Sequence, residues 1–457
     1  MNEIRKAKNS IDMINGPVFG KILKFAVPLM LSTVLQILFN AADVIVVGRF
    51  AGDVSLAAVG ATTAIVNLIV NLFLGLAIGT NVLVAHNIGA GRSDEVHDAV
   101  HTAVKAGIYI GILMTVIGLL FSTQLLRLMA APDEIIGLSS LYLRIIFFGT
   151  PALMLYNVGS AILRAVGDTK RPLIYLSTAG VLNVLLNMFF VIVVKMDVAG
   201  VALSTILTQY LSAFLTIRCL VREDSVIRLI PKDMKIKKDV LWKMIRIGLP
   251  AGIQGCLFSI SNVVVQSYIN SFGATVVAAN AAALNLEYTL FAISNAFSSA
   301  VMSFMSQNIG AGKIERVRRI YISGMISSLI FVVSVSTLMC IFGESILSLF
   351  TNSQAVVDAG MKRVLICEML YFIYGLFDIN VGALRGMGYS LMPMIASIGG
   401  ICALRIVYLA VMFSIPGFHT ETVLYSAYPI SWGVTFLILL VCYLIIVRRM
   451  KKRLSPA

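Results

Sequence analysis

The sequence predicts an all-α polytopic membrane protein with twelve transmembrane helices in two pseudo-symmetric six-helix bundles. Two observations lead to this fold class: apolar runs of about 20 or more residues recur along the chain, and several motifs occur twice at a nearly constant offset. Of the 457 residues, 59% are hydrophobic and 13% are charged, with a mean hydropathy of +0.93, whereas soluble domains have about 25% charged residues. The composition excludes a soluble globular domain, and the continuous apolar runs lack the alternation of a membrane β-barrel.

The predicted spans are separated by short polar connections, except for one long connection near the middle of the chain. That connection, residues 222–244, has several lysines and little apolar pattern, and we interpret it as a cytoplasmic linker along the lipid headgroups. No cleavable signal peptide is expected, because the first 16 residues are polar and the apolar run that follows is too long. The predicted spans cover residues 22–48, 56–85, 98–121, 138–162, 172–195, 198–220, 245–271, 276–306, 316–342, 360–382, 391–414 and 423–447.

The net charge of +14 is distributed unevenly. Basic residues concentrate in the N-terminal segment, the middle linker, the C-terminal tail and alternate short connections. By the positive-inside rule this pattern predicts a multi-pass protein of the cell (inner) membrane with both termini cytoplasmic. The charge reflects topology, so nucleic acid is not an expected partner. The predicted segments are an N-terminal cytoplasmic segment (1–21), an N-terminal lobe (22–221), the linker (222–244), a C-terminal lobe (245–447) and a basic cytoplasmic tail (448–457).

The two halves of the chain repeat each other. The segment Asn87–Gly91 (Asn-Ile-Gly-Ala-Gly) recurs as Asn308–Gly312, an offset of 221 residues, and Pro28 is answered by Pro250 at an offset of 222. An offset held over hundreds of residues indicates duplication. Because each half has an even number of spans, the two copies share one orientation in the membrane. Two such bundles facing a central cavity are typical of a transporter.

One carboxylate interrupts the first apolar run. Asp43 shares a helix face with Gln36 and Asn40, three and seven residues before it. A carboxylate at membrane depth costs at least about 2.5 kcal/mol on insertion scales, which makes it a functional-site candidate. The alternative is that Asp43 only forms a hydrogen bond to a neighbouring helix.

Two amides lie one helical turn apart in the fifth predicted span. Asn183 and Asn187 share a face, and Thr205 in the sixth span offers a further oxygen. Carboxylate, amide and hydroxyl oxygens suit a hard cation such as Na⁺, or a relayed proton. These amides could instead hold helices together by hydrogen bonds.

The second half has its own polar residues at membrane depth. Glu287 and Asp378 could attract a cationic ligand, while Tyr288 and Tyr374 present aromatic faces. Asp378 could equally form a structural ion pair with Arg385 or Arg405. Glu368 lies at a similar depth.

Motifs of other protein classes are absent from the sequence or incomplete. The Asn-Ile-Gly-Ala-Gly segments lack the lysine of a phosphate-binding loop, and we interpret them as helix-terminating turns. His97 and His101 are spaced for a metal but have no evident third ligand, and solvated polar residues are ordinary at that position. Six cysteines occur without a CxxC pair, so neither a disulfide framework nor a zinc site is indicated. No nucleophile–base pair or other enzymatic motif is present.

In order and spacing, these features resemble the multidrug and toxic compound extrusion (MATE) transporters. The resemblance extends from about Gly16 to Val447. The segments that carry it are Pro28, Asp43–Gly48 (Asp-Val-Ile-Val-Val-Gly), Ala57–Gly60 (Ala-Ala-Val-Gly), the two Asn-Ile-Gly-Ala-Gly turns, and the paired Leu-Arg-x-x-Gly segments that begin at Leu163 and Leu384.

The resemblance implies a secondary antiporter with two six-helix lobes and a central drug cavity, which expels organic cations in exchange for Na⁺ or H⁺. The family's N-lobe cation site comprises an Asp of the first helix, two side chains one turn apart on the fifth, and often a hydroxyl on the sixth. The matching residues here are Asp43, Asn183, Asn187 and Thr205, and Pro28 matches a proline about which the first helix bends. One archaeal branch has Asp where Asn187 stands.

The sequence also departs from the family pattern. Many members have a Glu in the seventh helix, but Pro250–Ser271 contains no acidic residue. Tyr374 occupies the position of the usual tenth-helix Asp, and Asp378 lies one turn later. A family-type cation site is therefore not expected in the C-terminal lobe.

The sequence thus predicts a monomeric, alternating-access multidrug antiporter for small organic, mainly cationic, compounds. No cofactor is expected apart from the coupling ion, H⁺ or Na⁺. A flippase for lipid-linked or polysaccharide precursors is the alternative, and it predicts a cavity lined by several cationic side chains. A receptor or an enzyme would need soluble domains or catalytic motifs that the short loops lack. The predicted substrate-binding residues are Gln36, Asn40, Glu287, Tyr288, Tyr374 and Asp378, with Pro28 in a conformational role.

Overall fold

Helices account for all regular structure in the part of the chain that the computed structural model describes, residues 9–129 and 131–454. The helices of the first half are α1 (Val18–Val46), α2 (Asp53–Gly89), α3 (Ser93–Leu128), α4 (Asp133–Phe148), α5 (Thr150–Ala165), α6 (Lys170–Met188) and α7 (Asp197–Arg222). Those of the second half are α8 (Lys238–Asn270), α9 (Ala274–Gly310), α10 (Ile314–Leu347), α11 (Gln354–Arg363), α12 (Tyr371–Gly386), α13 (Leu391–Ser397), α14 (Leu404–Phe413) and α15 (Glu421–Leu454).

Among the described residues, ten helical segments are long and apolar enough to cross a membrane, and two bent pairs bring the number to twelve. The pairs are α4 with α5, bent by 44°, and α11 with α12, bent by 42°. The first bend falls at Gly149, where Pro151 starts the next helix without needing a backbone N–H partner. The all-α polytopic fold predicted from the sequence is confirmed, and the predicted fourth and tenth spans are the bent pairs.

The described chain divides into two units. The N-terminal unit comprises residues 9–12 and Leu31–Gly252, and the C-terminal unit comprises Met13–Met30 and residues from Ile253 onward. Each unit therefore includes the first half of the other repeat's leading helix, α8 or α1. The changes of unit fall two residues after Pro28 and Pro250, and both prolines lie inside continuous helices.

In the N-terminal unit, α5 packs against α2, α3 and α7, and α6 packs against α7. The first half of α8 lies against α2 with almost no space between the backbones. A methyl group at Gly75 would lie 2.5 Å from the carbonyl oxygen of Gly248, and one at Gly79 would lie 2.2 Å from that of Met244. Glycine is required at these two positions because of this close approach.

In the C-terminal unit, α9 packs against α10, α11 and α12, and α12 packs against α15. The first half of α1 belongs to this unit, and its Phe25 ring meets Phe304 of α9 edge-on, with centroids 5.9 Å apart. The segment before α1 is also held here. The Asn308 side chain donates to the carbonyl of Met13 (3.0 Å), and Arg316 donates to that of Gly16 (2.9 Å).

The two Asn-Ile-Gly-Ala-Gly segments end α2 and α9, as predicted. Gly91 and Gly312 adopt left-handed backbone conformations, with φ of +72° and +70°. The next residue in each case donates its N–H back to the carbonyl of Asn87 or Asn308. These are glycine-terminated helix ends and not phosphate-binding loops.

The linker differs from the sequence expectation. The non-helical segment spans 223–237, because α8 begins at Lys238, seven residues before the predicted span. Ile227 and Leu229 are buried, and the N–H of Ile230 donates to Nε2 of His101 at 2.9 Å. The linker therefore packs against α3, and His101, only 1% exposed, is a structural contact and not a solvated residue as expected.

Candidate functional site

Three helices of the N-terminal unit bring polar side chains together around Asp43. Asp43 lies near the end of α1, and the Asn187 side chain on α6 donates from Nδ2 to its Oδ1. Nδ2 of Asn187 also lies 3.4 Å from Oδ1 of Asn183, one turn earlier on the same helix. The structure thus brings together the predicted carboxylate and both predicted amides.

The hydroxyl that contacts this pair belongs to Ser204 on α7. Its Oγ donates to Oδ1 of Asn187, and it also lies 2.8 Å from the carbonyl oxygen of Val201. The neighbouring Thr205 lines the same cavity as Asp43, but its hydroxyl donates to Val201 at 2.9 Å. Adjacent residues of a helix point about 100° apart, so only one of the two can face Asn187.

A cavity of about 120 Å³ opens beside Asp43. Gln36 and Asn40 are exposed on α1 and line this cavity together with Asp43, as the shared helix face predicts. No lysine or arginine is among the described residues that line it. The other lining residues are Phe39, Leu153, Tyr156, Leu176, Ala179, Gly180, Asn183, Thr205, Thr208, Gln209 and Ser212.

Local sequence explains why the helices approach here. The Phe39 ring occupies the space above Gly180 of α6, where a methyl group would lie 1.8 Å from a ring carbon. This contact lies one turn before both Asp43 on α1 and Asn183 on α6. Beyond the site, α1 and α6 both continue as π-helical turns, at Val47–Ala51 and Phe189–Val193. Such turns are rare and frequent at functional sites.

Apolar residues close the other end of the site. Val47 and Val191 of the two π-helical turns pack together with Val46 of α1 and Val201 of α7. Tyr142 of α4 packs against this group. The polar network therefore has a packed apolar side and a side that opens on the cavity.

The candidate residues of the C-terminal unit have different surroundings. Glu287 of α9 accepts a hydrogen bond from Arg363 at the end of α11, and Oε1 of Glu368 lies 3.7 Å from the same guanidinium. Arg363 and Glu368 have fully buried side chains. Arg405 stacks on the Tyr428 ring, 4.2 Å from its centroid.

The other three candidates of this unit are spread over α9 and α12. Tyr288 is 49% exposed, next to Glu287. Tyr374 packs into an aromatic cluster with centroids 4.9 Å from Tyr371 and 5.6 Å from Trp432. Asp378 is buried one turn later, and the salt bridges that describe this unit do not include it. The predicted substrate contacts of Glu287, Tyr288, Tyr374 and Asp378 stay predictions.

Two features of these sites escape the sequence analysis. Ser204 is not distinguishable from Thr205 without knowing how α7 is rotated. Arg363 stands next to Lys362 at the start of a predicted span and looks like an ordinary interfacial cation, although its side chain is 0% exposed. Among the described residues no group of three His, Cys, Asp or Glu side chains is arranged to hold a metal.

The duplicated helical fold, the number of spans and the polar site in a membrane-spanning unit define a polytopic transport protein. The family model described as MatE matches residues 28–189 and again 250–411. The chain belongs to this family, the multidrug and toxic compound extrusion (MATE) transporters, and the two matches are its two repeats.

Individual relatives agree with this assignment. The chain is 26% identical over 435 residues to "Probable multidrug resistance protein YoeA" of Bacillus subtilis, covering 92% of each chain. It is 27% identical over 393 residues to "Probable multidrug resistance protein NorM" of Thermotoga maritima, covering 84% of each. Among solved structures, a MOP superfamily transporter from Pyrococcus furiosus superposes with a TM-score of 0.91 at 21% identity, over 98% of this chain and 100% of that one.

Proposed function

We propose that the protein is an antiporter that exports small organic, mainly cationic, compounds in exchange for H⁺ or Na⁺, which it takes up at Asp43. The observation that carries this proposal is the Asp43–Asn187–Ser204 network on the wall of the cavity. Within the described residues, no lysine or arginine forms an ion pair with Asp43. A partly buried carboxylate without a cationic partner is costly, and binding a proton, a sodium ion or a cationic drug lowers that cost.

Competition at this carboxylate supplies the coupling. A ligand drives a transport cycle only through its differential affinity for the two end states. When Asp43 carries a coupling ion, the cavity has lost its negative charge and a cationic substrate leaves. When the ion dissociates on the other side, the charge returns and the substrate binds again. One monovalent ion crossing 100 mV supplies about 2.3 kcal/mol for this exchange.

The lining of the cavity supports a polar or cationic substrate. Gln36 and Asn40 add side-chain amide oxygens to the carboxylate of Asp43. The cavity volume of about 120 Å³ is smaller than the roughly 300–1,000 Å³ of drug-sized pockets, so it suits the coupling ion or one end of a substrate. The flippase alternative predicts several cationic side chains here, and the described lining has none.

The proposal also includes topology and assembly. We place both termini in the cytoplasm because the basic connections lie on one side, and we expect a monomer in the cell membrane. Residues 1–8 and 455–457 of the predicted terminal segments lie outside the described residues. Labelling of Asn9→Cys in a cysteine-free variant by a membrane-impermeant maleimide checks this topology. Labelling in intact cells would contradict a cytoplasmic N-terminus.

Ethidium transport in proteoliposomes tests the proposed function. Purified wild-type protein is given an imposed pH gradient or an imposed Na⁺ gradient, with the membrane potential clamped by valinomycin and K⁺. We expect transport of ethidium against its gradient with one of the two ions. Asp43→Asn is the matched variant, since it keeps the side-chain size and removes the charge. Transport in neither gradient, by wild-type protein that binds no organic cation, would overturn the proposal.

A further inference from the structure

The Asn187 amide lies between two partners whose hydrogen-bonding needs change with the charge of Asp43. Its Nδ2 donates to Asp43, and its Oδ1 accepts from the Ser204 hydroxyl. An ionised carboxylate can only accept hydrogen bonds. The observed orientation of the amide is therefore the one that an ionised Asp43 requires.

A protonated Asp43 requires the opposite orientation. Its carboxyl O–H then donates, and the Asn187 amide, turned by half a rotation, offers Oδ1 to Asp43 and Nδ2 to Ser204. A hydroxyl both donates and accepts, so Ser204 serves as partner in either orientation. The carbonyl oxygen of Val201, 2.8 Å from Ser204 Oγ, takes the hydroxyl hydrogen when Asn187 no longer does. Gain or loss of a proton thus leaves every polar atom of the network paired.

Sodium is accommodated less well by the same residues. Na⁺ is about the size of Ca²⁺ and holds each oxygen ligand at about 2.3–2.6 Å, so an ion between two side chains separates them. Asp43 and Asn187 are in direct hydrogen-bond contact, and the amide also faces Asn183 Oδ1 at 3.4 Å. A sodium ion would have to push apart side chains that a proton leaves in contact. The π-helical turns packed directly beyond the site limit such a movement.

We propose that Ser204 is a positioning residue that lets the Asn187 amide invert as Asp43 gains and loses a proton, so that the coupling ion at this site is H⁺. This inference rests on the proposed antiport function and specifies its ion. Ser204 acts through Asn187 and touches neither Asp43 nor the substrate. Its fully buried side chain on α7 has no other side-chain partner among the described hydrogen bonds.

Equilibrium binding of ethidium to the purified protein in detergent gives the first test. Fluorescence polarisation is followed between about pH 5 and 8.5, with NaCl replaced by choline chloride at constant ionic strength. We expect bound ethidium to be released as the pH falls, with the same midpoint in both salts. Release of ethidium by Na⁺ at constant pH would overturn the inference while leaving the antiport function intact.

Ser204→Ala tests the role of the hydroxyl. Without it, Oδ1 of Asn187 loses its donor in the ionised arrangement, so protons are held about three- to tenfold more tightly and the midpoint of release rises by about 0.5–1 pH unit. Ser204→Thr, which keeps a hydroxyl, should restore the wild-type midpoint. Ser177→Ala is the control, because this α6 hydroxyl donates only within its own helix, to Leu173 at 2.8 Å. A Ser204→Ala midpoint equal to that of Ser177→Ala would overturn the assignment.

A measurement without substrate separates this inference from the proposed function. Infrared difference spectra between acidic and neutral pH should show a protonated carboxyl band that is absent from Asp43→Asn. The midpoint of that band should shift in Ser204→Ala and should not respond to NaCl. A carboxylate band of Asp43 that responds to NaCl and not to pH would show a sodium site. Such a result overturns the inference whether or not ethidium is a substrate.

Discussion

The guanidinium of Arg363 lies between two carboxylates, donating from Nη2 to Glu287 and placing Nη1 3.7 Å from Oε1 of Glu368. The side chains of Arg363 and Glu368 are 0% exposed and that of Glu287 is 18% exposed. Arg405 shares the Tyr428 ring with Arg363, at 4.2 Å and 5.7 Å from its centroid. Two cations therefore offset two anions in a buried cluster that joins α9, α11, α14 and α15.

We expect Arg363→Met to destabilise the protein by about 3–5 kcal/mol, because it leaves buried carboxylates without their partner. Thermal unfolding in detergent, followed by circular dichroism, measures the loss. Lys362→Met is the control: Lys362 pairs with Glu421 at 3.1 Å, but its side chain is 59% exposed, so its removal should cost at most about 1 kcal/mol. Equal melting temperatures for the two variants would contradict the structural role of the cluster.

The contact between α2 and α8 predicts a second stability difference. Gly79→Ala places a methyl group 2.2 Å from the carbonyl oxygen of Met244, so the two helices must separate at a cost of about 1–3 kcal/mol or more. Gly60→Ala is the control on the same helix, since a methyl group there meets nothing within 4 Å. Alanine favours helix by about 1 kcal/mol over glycine, so Gly60→Ala should be neutral or stabilising. Melting temperatures that fall equally in both would be inconsistent with this close contact.

The proposed transport cycle predicts a selective loss in Asp43→Asn. The amide cannot take up a proton or carry the charge that attracts a cationic drug, so gradient-driven ethidium export should fall to the level of empty liposomes. Expression and melting temperature should stay close to wild type, because an amide of the same size remains partnered by Asn187. Asp53→Asn is the control, since Asp53 is exposed in the first turn of α2. Wild-type export by Asp43→Asn would refute the assigned cation site.

The linker contact predicts a local change in dynamics. Nδ1 of His101 must donate to the carbonyl oxygen of His97, 2.7 Å away, so Nε2 is the acceptor for the N–H of Ile230. His101→Ala removes that acceptor, and hydrogen exchange at Ile230 should become about five- to tenfold faster, as expected for one lost hydrogen bond. Mass spectrometry of a peptide that covers the linker measures this rate.

His97→Ala is the matched control for the linker. It removes a ring that stacks on His101 with centroids 3.8 Å apart, but it retains the backbone carbonyl that orients His101. Exchange at Ile230 should stay near the wild-type rate. If both histidine variants accelerated exchange equally, ring stacking and not the hydrogen bond would hold the linker.

Sequence reasoning reached the fold because hydropathy and the duplicated motifs report on spans directly. It also placed Asp43, Asn183 and Asn187 together, since the spacing of Asn183 and Asn187 fixes their common face. It did not reach Ser204, because the rotation of α7 depends on packing that no local pattern encodes. The early start of α8 was missed for a similar reason. Its first turns are polar outside, and only Val240 and Met244 face the core.

Other residues were misjudged because burial by partners cannot be read from one segment. Ile227 and Leu229 are isolated apolar residues in a polar linker, yet they join the core of the N-terminal unit. Glu287 reads as an unpaired acid until Arg363, 76 residues later, is placed beside it. Such pairings between distant residues depend on the tertiary fold, which a single sequence does not specify locally.

The exchange of leading helix halves between the two units sets an order for biosynthesis. As the chain leaves the ribosome, residues 31–237 are complete before the part of α8 that covers Gly75 and Gly79 has been made. Residues 13–30 are made first, but their partners on α9 and α10 are made hundreds of residues later. Neither unit can finish its packing as an independent early domain. A gene divided between the repeats would therefore yield two fragments that each lack a piece of their own core and need the other fragment for complete folding.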